Sequence, residues 1–230
     1  VRVLVRNTCI CVIFTFFSGS VYADFLVLGY DSTNPNGANG PPAPDLAAAE
    51  HSSLISPLLL SRGAGVTANT GITFNSSNWS LANTVDFNSN QYIQWGWSAG
   101  SQSLDLTTMT LQYDVSPSGP SQLTIALSVN SGGFQPIFTD TSINPSDETA
   151  TIDLSAFNDV DSAIFRLFGY SASSSGGTLD IEEIFEGGAR GILIRGDLAA
   201  VPEPSIGNLL PLLCWLLILR PRVMACAYGI

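Results

Sequence analysis

The chain has 230 residues, with nineteen acids against eight arginines, no lysine and a net charge of −11. So acidic a chain lacks the basic footprint that nucleic acid requires, which excludes that partner. At 45% hydrophobic and only 12% charged residues it is also not the composition of a disordered chain, and a mean hydropathy of +0.28 raises the question of where the apolar residues sit.

Residues 1–23 read as a secretory signal helix. Arg2 and Arg6 make a positive start, eight of the ten residues 8–17 are apolar, and Ser18-Gly19-Ser20 loosens the chain. Small residues at Val21 and Ala23 place cleavage by signal peptidase after Ala23, and the secretion machinery becomes an expected partner. Ten apolar residues are too few to span a bilayer as an uncleaved anchor.

Residues 24–199 read as one all-β ectodomain. Its eighteen acids and four arginines (Arg62, Arg166, Arg190, Arg195) give a balance of −14, so the ectodomain is more acidic than the whole chain. Strands are expected at 25–28, then a Pro/Gly/Asn-rich loop at 34–44, one helical turn at 46–50, and a short buried strand at 58–60. The apolar period is two, not 3.6. Ile93, Trp95 and Trp97 share one strand face, which suggests core. Met109, Leu111, Tyr113 and Val115 alternate with Thr108, Thr110, Gln112 and Asp114. Leu123, Ile125, Leu127 and Val129 form a second alternating strand. Shorter strands are expected at 149–154, 163–168, 178–184 and 191–195. Turn residues at 116–120, 130–133 and 173–177 separate them. Many short strands with frequent turns argue a two-sheet sandwich or barrel, and about 175 residues suffice for its core.

The four cysteines, Cys9, Cys11, Cys214 and Cys226, all lie outside 24–205, so the ectodomain has no disulfide, cysteine metal site or cysteine nucleophile. His51 is the only histidine, and a Ser-His-Asp triad would have to use it. Phosphate-loop, HExxH and EF-hand patterns are absent. No catalytic residue is assigned. Paired carboxylates could serve a glycoside hydrolase, but nothing selects a pair at catalytic separation. Acids cluster at Asp140, Asp147 and Glu148, at Asp159 and Asp161, and at Asp180, Glu182, Glu183 and Glu186. Such hard oxygen ligands suit a structural Ca2+, with Asp180, Glu182 and Glu183 the candidate set. Trp79, in the polar run Asn-Ser-Ser-Asn-Trp-Ser, is the candidate for stacking on a sugar ring. Arg166, among aromatic residues, is expected to pack its stem and pair with an acid.

The tail at 200–222 has three parts. Val201-Pro202-Glu203-Pro204-Ser205 comes first. Residues 206–219 follow, eleven of fourteen apolar, and then Arg220 and Arg222. The run is a short transmembrane helix of roughly 21 Å against a hydrocarbon core of roughly 30 Å, and Arg220 and Arg222 act as its stop-transfer signal. Two prolines hold the tripeptide extended and outside the helix, with Glu203 presented between them. Residues 223–230 would be a short cytoplasmic tail.

This order of Pro-Glu-Pro, apolar helix and arginines resembles the PEP-CTERM sorting signal. The resemblance implies an integral-membrane cysteine protease, an exosortase, as partner. It implies an inner-membrane-anchored precursor passed to the cell surface or extracellular polysaccharide of a Gram-negative-type bacterium. Pro221 splits the arginines and eight residues follow them, both departures from the pattern. The run Phe165-Arg166-Leu167-Phe168-Gly169-Tyr170, the Ser/Gly loop and Thr178-Leu179-Asp180-Ile181, with the upstream turns at 116–120 and 130–133, also resemble a common ectodomain type found ahead of such tails. That likeness implies a jelly-roll-like sandwich. The expected function is a non-enzymatic exported surface or matrix protein. The alternatives are a carbohydrate-binding module in exopolysaccharide, or a β-sandwich glycoside hydrolase.

Overall fold

A computed structural model describes residues 24–183 and 191–199. The expected signal helix with Val21 and Ala23, the tail with Pro202, Glu203, Pro204, Arg220 and Arg222, and Glu186 lie outside the described residues.

Among the described residues fourteen strands build two sheets, and every pairing is antiparallel. In chain order they are β1 (Phe25–Asp31), β2 (Ala48–His51), β3 (Ile55–Pro57), β4 (Ser61–Arg62), β5 (Thr67–Ala68), β6 (Phe74–Ser77) and β7 (Ile93–Gly100). These are followed by β8 (Leu104–Val115), β9 (Pro120–Val129), β10 (Gln135–Asp140), β11 (Glu148–Asp153), β12 (Ala163–Ala172), β13 (Leu179–Ile181) and β14 (Gly191–Leu198). The eight-stranded sheet runs β2-β1-β14-β8-β13-β6-β5, with β11 on the other edge of β8. The six-stranded sheet runs β10-β9-β12-β7-β3, with β4 also on β7. Among the described residues there is no helix, and none long and apolar enough to cross a membrane. The expected all-β, two-sheet architecture is what forms.

Alternation explains the layering. On β9 and β12, Leu123, Ile125, Leu127, Ala163, Phe165 and Leu167 enter the shared core. Trp95 and Trp97 are fully buried there, as their spacing predicts. Trp95 stacks on Phe165 with centroids 5.8 Å apart and planes 2° from parallel, an arrangement worth about 0.5–1.5 kcal/mol beyond burial. The strand β8 carries one extra residue. Leu104 and Leu106 point inward, yet so do Met109, Leu111 and Tyr113, because Thr107 bulges out where the β14 register shifts.

One polar bolt joins the layers. Tyr30 of β1 donates its hydroxyl to the Leu58 carbonyl at 2.6 Å, and accepts from the Gly96 amide of β7 at 3.4 Å. Burial raises this phenol to about 12. Gly96 has φ of +135°, and an added Cβ would meet the Ala163 carbonyl, so only glycine brings β7 this close.

Two local expectations are corrected. Residues 46–50 are not a helical turn. Ala48–His51 is a strand, because pairing of Ala48, Glu50 and His51 with Tyr30, Gly29 and Leu28 outweighs the helix preference of an alanine run. Residues 58–60 form only a bridge, Leu60 to Leu46, with Leu60 buried and Leu59 half exposed.

Replacing Tyr30 by Phe is expected to cost about 1–3 kcal/mol, since it strands the Gly96 amide without an acceptor. Urea unfolding measures this, and an unchanged midpoint would contradict the bolt.

Candidate cation site and the outward faces

Asp114 lies on the outward side of β8, between Tyr113 and Val115, which point inward. The register sets Asp114 opposite Asp180 on β13, and Asp180 opposite Asn75 on β6. Three adjacent strands thus line up three acceptor side chains on one face. Two residues along, Thr73 and Glu182 continue the row, and the Thr73 hydroxyl donates to Glu182 Oε1 at 3.4 Å. The backbone holds this corner firmly. The Glu182 amide donates to the Gln112 carbonyl at 2.8 Å, and Ser32 Oγ donates to the Glu182 carbonyl at 2.8 Å.

One oxygen from each of Asp114, Asp180 and Glu182 lies within 4.8 Å of the others. Oxygens on opposite sides of a Ca2+, each 2.3–2.6 Å from it, stand about 5 Å apart, so this spacing suits a hard cation. It is tighter than the roughly 5–9.5 Å between glycosidase carboxyl groups. Asp114 Oδ1, Asp180 Oδ1 and Asn75 Oδ1 are buried and have no hydrogen-bond partner. Beside the cluster, an open depression of about 510 Å3 is lined by Ile72, Thr73, Gln112, Asp147, Thr149, Glu182 and Glu183.

Burial is the main cause that shifts the acids. It raises Asp180 to about 8, helped by the charges of Asp114 and Glu182 and opposed by Arg62. It raises Glu182 to about 7, helped by Asp114 and Asp147. Asp114 is raised too, while accepting a hydrogen bond from Asp180. The pair therefore keeps a proton at pH values where an isolated carboxyl has lost its own.

The structure rearranges the expected cation set. Asp180 and Glu182 are brought together, but Glu183 is turned to accept from Thr33 Oγ1 at 3.1 Å. The third member is Asp114, sixty-six positions upstream of Asp180 in the chain. Other acid clusters serve local structure. Asp140 accepts from Tyr113 and from the Ser142 amide, and Asp161 accepts from Ser103. His51 is exposed on β2, its Nδ1 beside the Ser52 carbonyl.

Trp79 is a correction. It is 1% exposed and belongs to the core, not to a loop open to sugar. Asn78 adopts φ of 65° after β6 and reverses the chain. The Trp79 indole donates to the Ser76 carbonyl at 2.9 Å, and its ring fills the space over Gly169, where a Cβ would stand 3.0 Å away. Arg166 is a second correction. Its Nε donates to Gln94 Oε1 at 2.9 Å, and its guanidinium lies over Tyr92 and Phe134, so its described partners include no acid.

No known family model matches the chain, and no curated protein matches it. Among solved structures it is similar to a carbohydrate binding module of family 29, at 10% identity and a TM-score of 0.42, covering 77% of this chain and 91% of that one. It is also similar to a mutant of the module CBM29-2 complexed with mannohexaose, at 9% identity and a TM-score of 0.40, covering 77% and 94%. A CBM29-2 mutant complexed with cellulohexaose gives 12% identity and a TM-score of 0.41, covering 78% and 94%.

The raised acids give stability a pH dependence of definite sign. Between their unfolded values near 4 and folded values of about 7 to 8, the native chain holds more protons than the unfolded chain. Without added cation, stability should fall as pH rises from 4 to 8, and Asp180→Asn should flatten that fall. Thermal melts across this range in EDTA measure it; a midpoint rising toward pH 8 would refute it.

Proposed function

We propose that this chain is a non-enzymatic exported module of the cell surface or extracellular matrix. It is a jelly-roll-like sandwich, made as a membrane-tethered precursor. An exosortase-like protease processes it at Pro202-Glu203-Pro204, with Arg220 and Arg222 stopping transfer behind the apolar run. Signal peptidase cleavage after Ala23 frees its other end.

The observation that carries the reading is where the sandwich starts and stops. The first strand begins at Phe25, two residues beyond the cleavage position, and the last ends at Leu198, three residues before Val201. These two strands are paired neighbours, Phe25 opposite Gly196. The described sandwich thus begins and ends on neighbouring strands at one end of a sheet, a geometry that suits a domain tethered and then released.

A structural Ca2+ belongs to the same proposal, with Asp114, Asp180 and Glu182 as its ligands. The buried, unpartnered oxygens there support it. A cation would displace protons that these raised acids hold, so binding should release protons below about pH 8.

The alternative is a carbohydrate-binding module of exopolysaccharide. One observation favours it, the aromatic and guanidinium row on the outward face of the six-stranded sheet.

Mass spectrometry of the protein from its native cell tests the sorting. The expected mature form starts at Asp24 and ends near Pro202–Pro204. Substituting Pro202, Glu203 and Pro204 together by alanine should leave the protein in the membrane fraction with its tail intact. A mature pool that retains Val223 to Ile230 would overturn the reading.

A further inference from the structure

Arg166 sits on β12, the middle strand of the six-stranded sheet, paired with β9 on one side and β7 on the other. Phe165 and Leu167 face the core, so Arg166 faces outward. Its cross-strand neighbours are Gln94 and Ala126. Gln94 accepts from Arg166 Nε at 2.9 Å and fixes the roll of the side chain. Ala126 is small, which leaves room for Phe134 to reach across from the β9–β10 turn. That turn is pinned, since Ser128 Oγ donates to the Gly132 carbonyl and the Asn130 side chain donates to the Asp159 carbonyl. The Phe134 ring lies 4.3 Å from the guanidinium carbon, and Tyr92, from the β7 side, lies 4.1 Å from it. Tyr92 is itself held edge-on by Phe168, which also contacts Phe87.

We propose that this face binds the carboxylate of a uronic acid residue in an acidic polysaccharide, with Arg166 as the recognising group. Two aromatic rings and one amide immobilise the guanidinium before any ligand arrives, so little side-chain entropy remains to be lost. Its described partners use one of five N–H donors and none is a carboxylate. The planar fork of the terminal nitrogens matches a planar carboxylate.

A sugar fits this face better than an acidic peptide. Both edges of β12 are already paired, so a peptide could add no backbone ladder here. What remains on offer is the two aromatic rings, an amide and the free guanidinium edge, which suit an acidic pyranose. The site rests on the reading of the chain as a matrix module. It is nevertheless tested on purified protein, so that correct tail processing without sugar binding sinks the site alone, and sugar binding without processing sinks the sorting alone.

Calorimetric titration of the purified full-length protein in EDTA, which removes any cation bridge, is the test. The probes are oligomers of galacturonate, glucuronate and mannuronate, each with its methyl ester. At least one acid series should bind, and its ester about tenfold more weakly or worse. Arg166→Gln should lose about tenfold or more, and Arg166→Lys should not restore binding, because it keeps the charge and loses the fork. Phe134→Ala, on a surface turn, should weaken binding several-fold, about 1 kcal/mol of lost clamping, and it carries the test if Arg166→Gln fails to fold. The proposal is overturned if no acid oligomer binds, if ester and acid bind alike, if the Arg166 and Phe134 variants bind as the wild type does, or if polyglutamate binds as tightly as the sugar.

Discussion

The larger sheet depends on the strand β8. This strand is twelve residues long and receives three partners: β14 along Leu104–Leu111, β13 along Tyr113–Val115, and β11 on its other edge. Its inward residues, Leu104, Leu106, Met109, Leu111, Tyr113 and Val115, run through the core. Because side chains alternate, the same parity puts Gln112 and Asp114 on the outside. The bulge at Thr107 makes both halves of the strand bury their apolar residues. Without it, either the Leu104–Leu106 end or the Met109–Val115 end would turn its apolar side to water. The packing requirement thus also aims Asp114 at the place where β13 delivers Asp180.

Much of this could be read from residue order. The alternating runs at Met109–Val115 and Leu123–Val129 are strands, and Trp95 and Trp97 are core, because period-two burial is a local property of a strand. The failures have a common physical cause. The alanine run at 47–49 has helix propensity, but β1 offers it an open edge, and ladder hydrogen bonds decide the outcome. Trp79 stands in a run of Asn and Ser that reads as an exposed loop. Its large apolar ring still gains more by folding inward, and the Ser76 carbonyl three residues back satisfies its only polar atom.

The cation cluster was half legible. Asp180 lies on β13 and Glu182 one residue past its end, two positions apart, so a continued strand period puts them on one face. Asp114 was visible as an outward residue of β8, but its partner depends on which strand docks at the end of β8, and in what register. That is non-local information, carried by the match between β13 and Tyr113–Val115. The aromatic clamp on Arg166 was missed for a similar reason. Tyr92 and Phe134 are far from Arg166 in sequence, and only the order β9-β12-β7 brings them to its two sides.

The charges near Asp180 point to one further consequence. Arg62 is half-buried near the same corner, donating to Ser76 Oγ and to the Ala43 and Asn75 carbonyls, with its carbon 3.5 Å from the centre of the Phe74 ring. Opposite charges in proximity ordinarily hold each other charged. Here burial wins on both sides: Arg62 falls to about 10 while Asp180 rises to about 8. Each group loses more hydration than the other returns. Asp147 and Glu183 add their charges to those of Asp114, Asp180 and Glu182, and Asp45 also acts on Arg62, so the acids of this corner outnumber its one guanidinium. Raising Asp180 and Glu182 is how the corner relieves that excess, since a protonated carboxyl neither repels its neighbours nor loses as much hydration on burial.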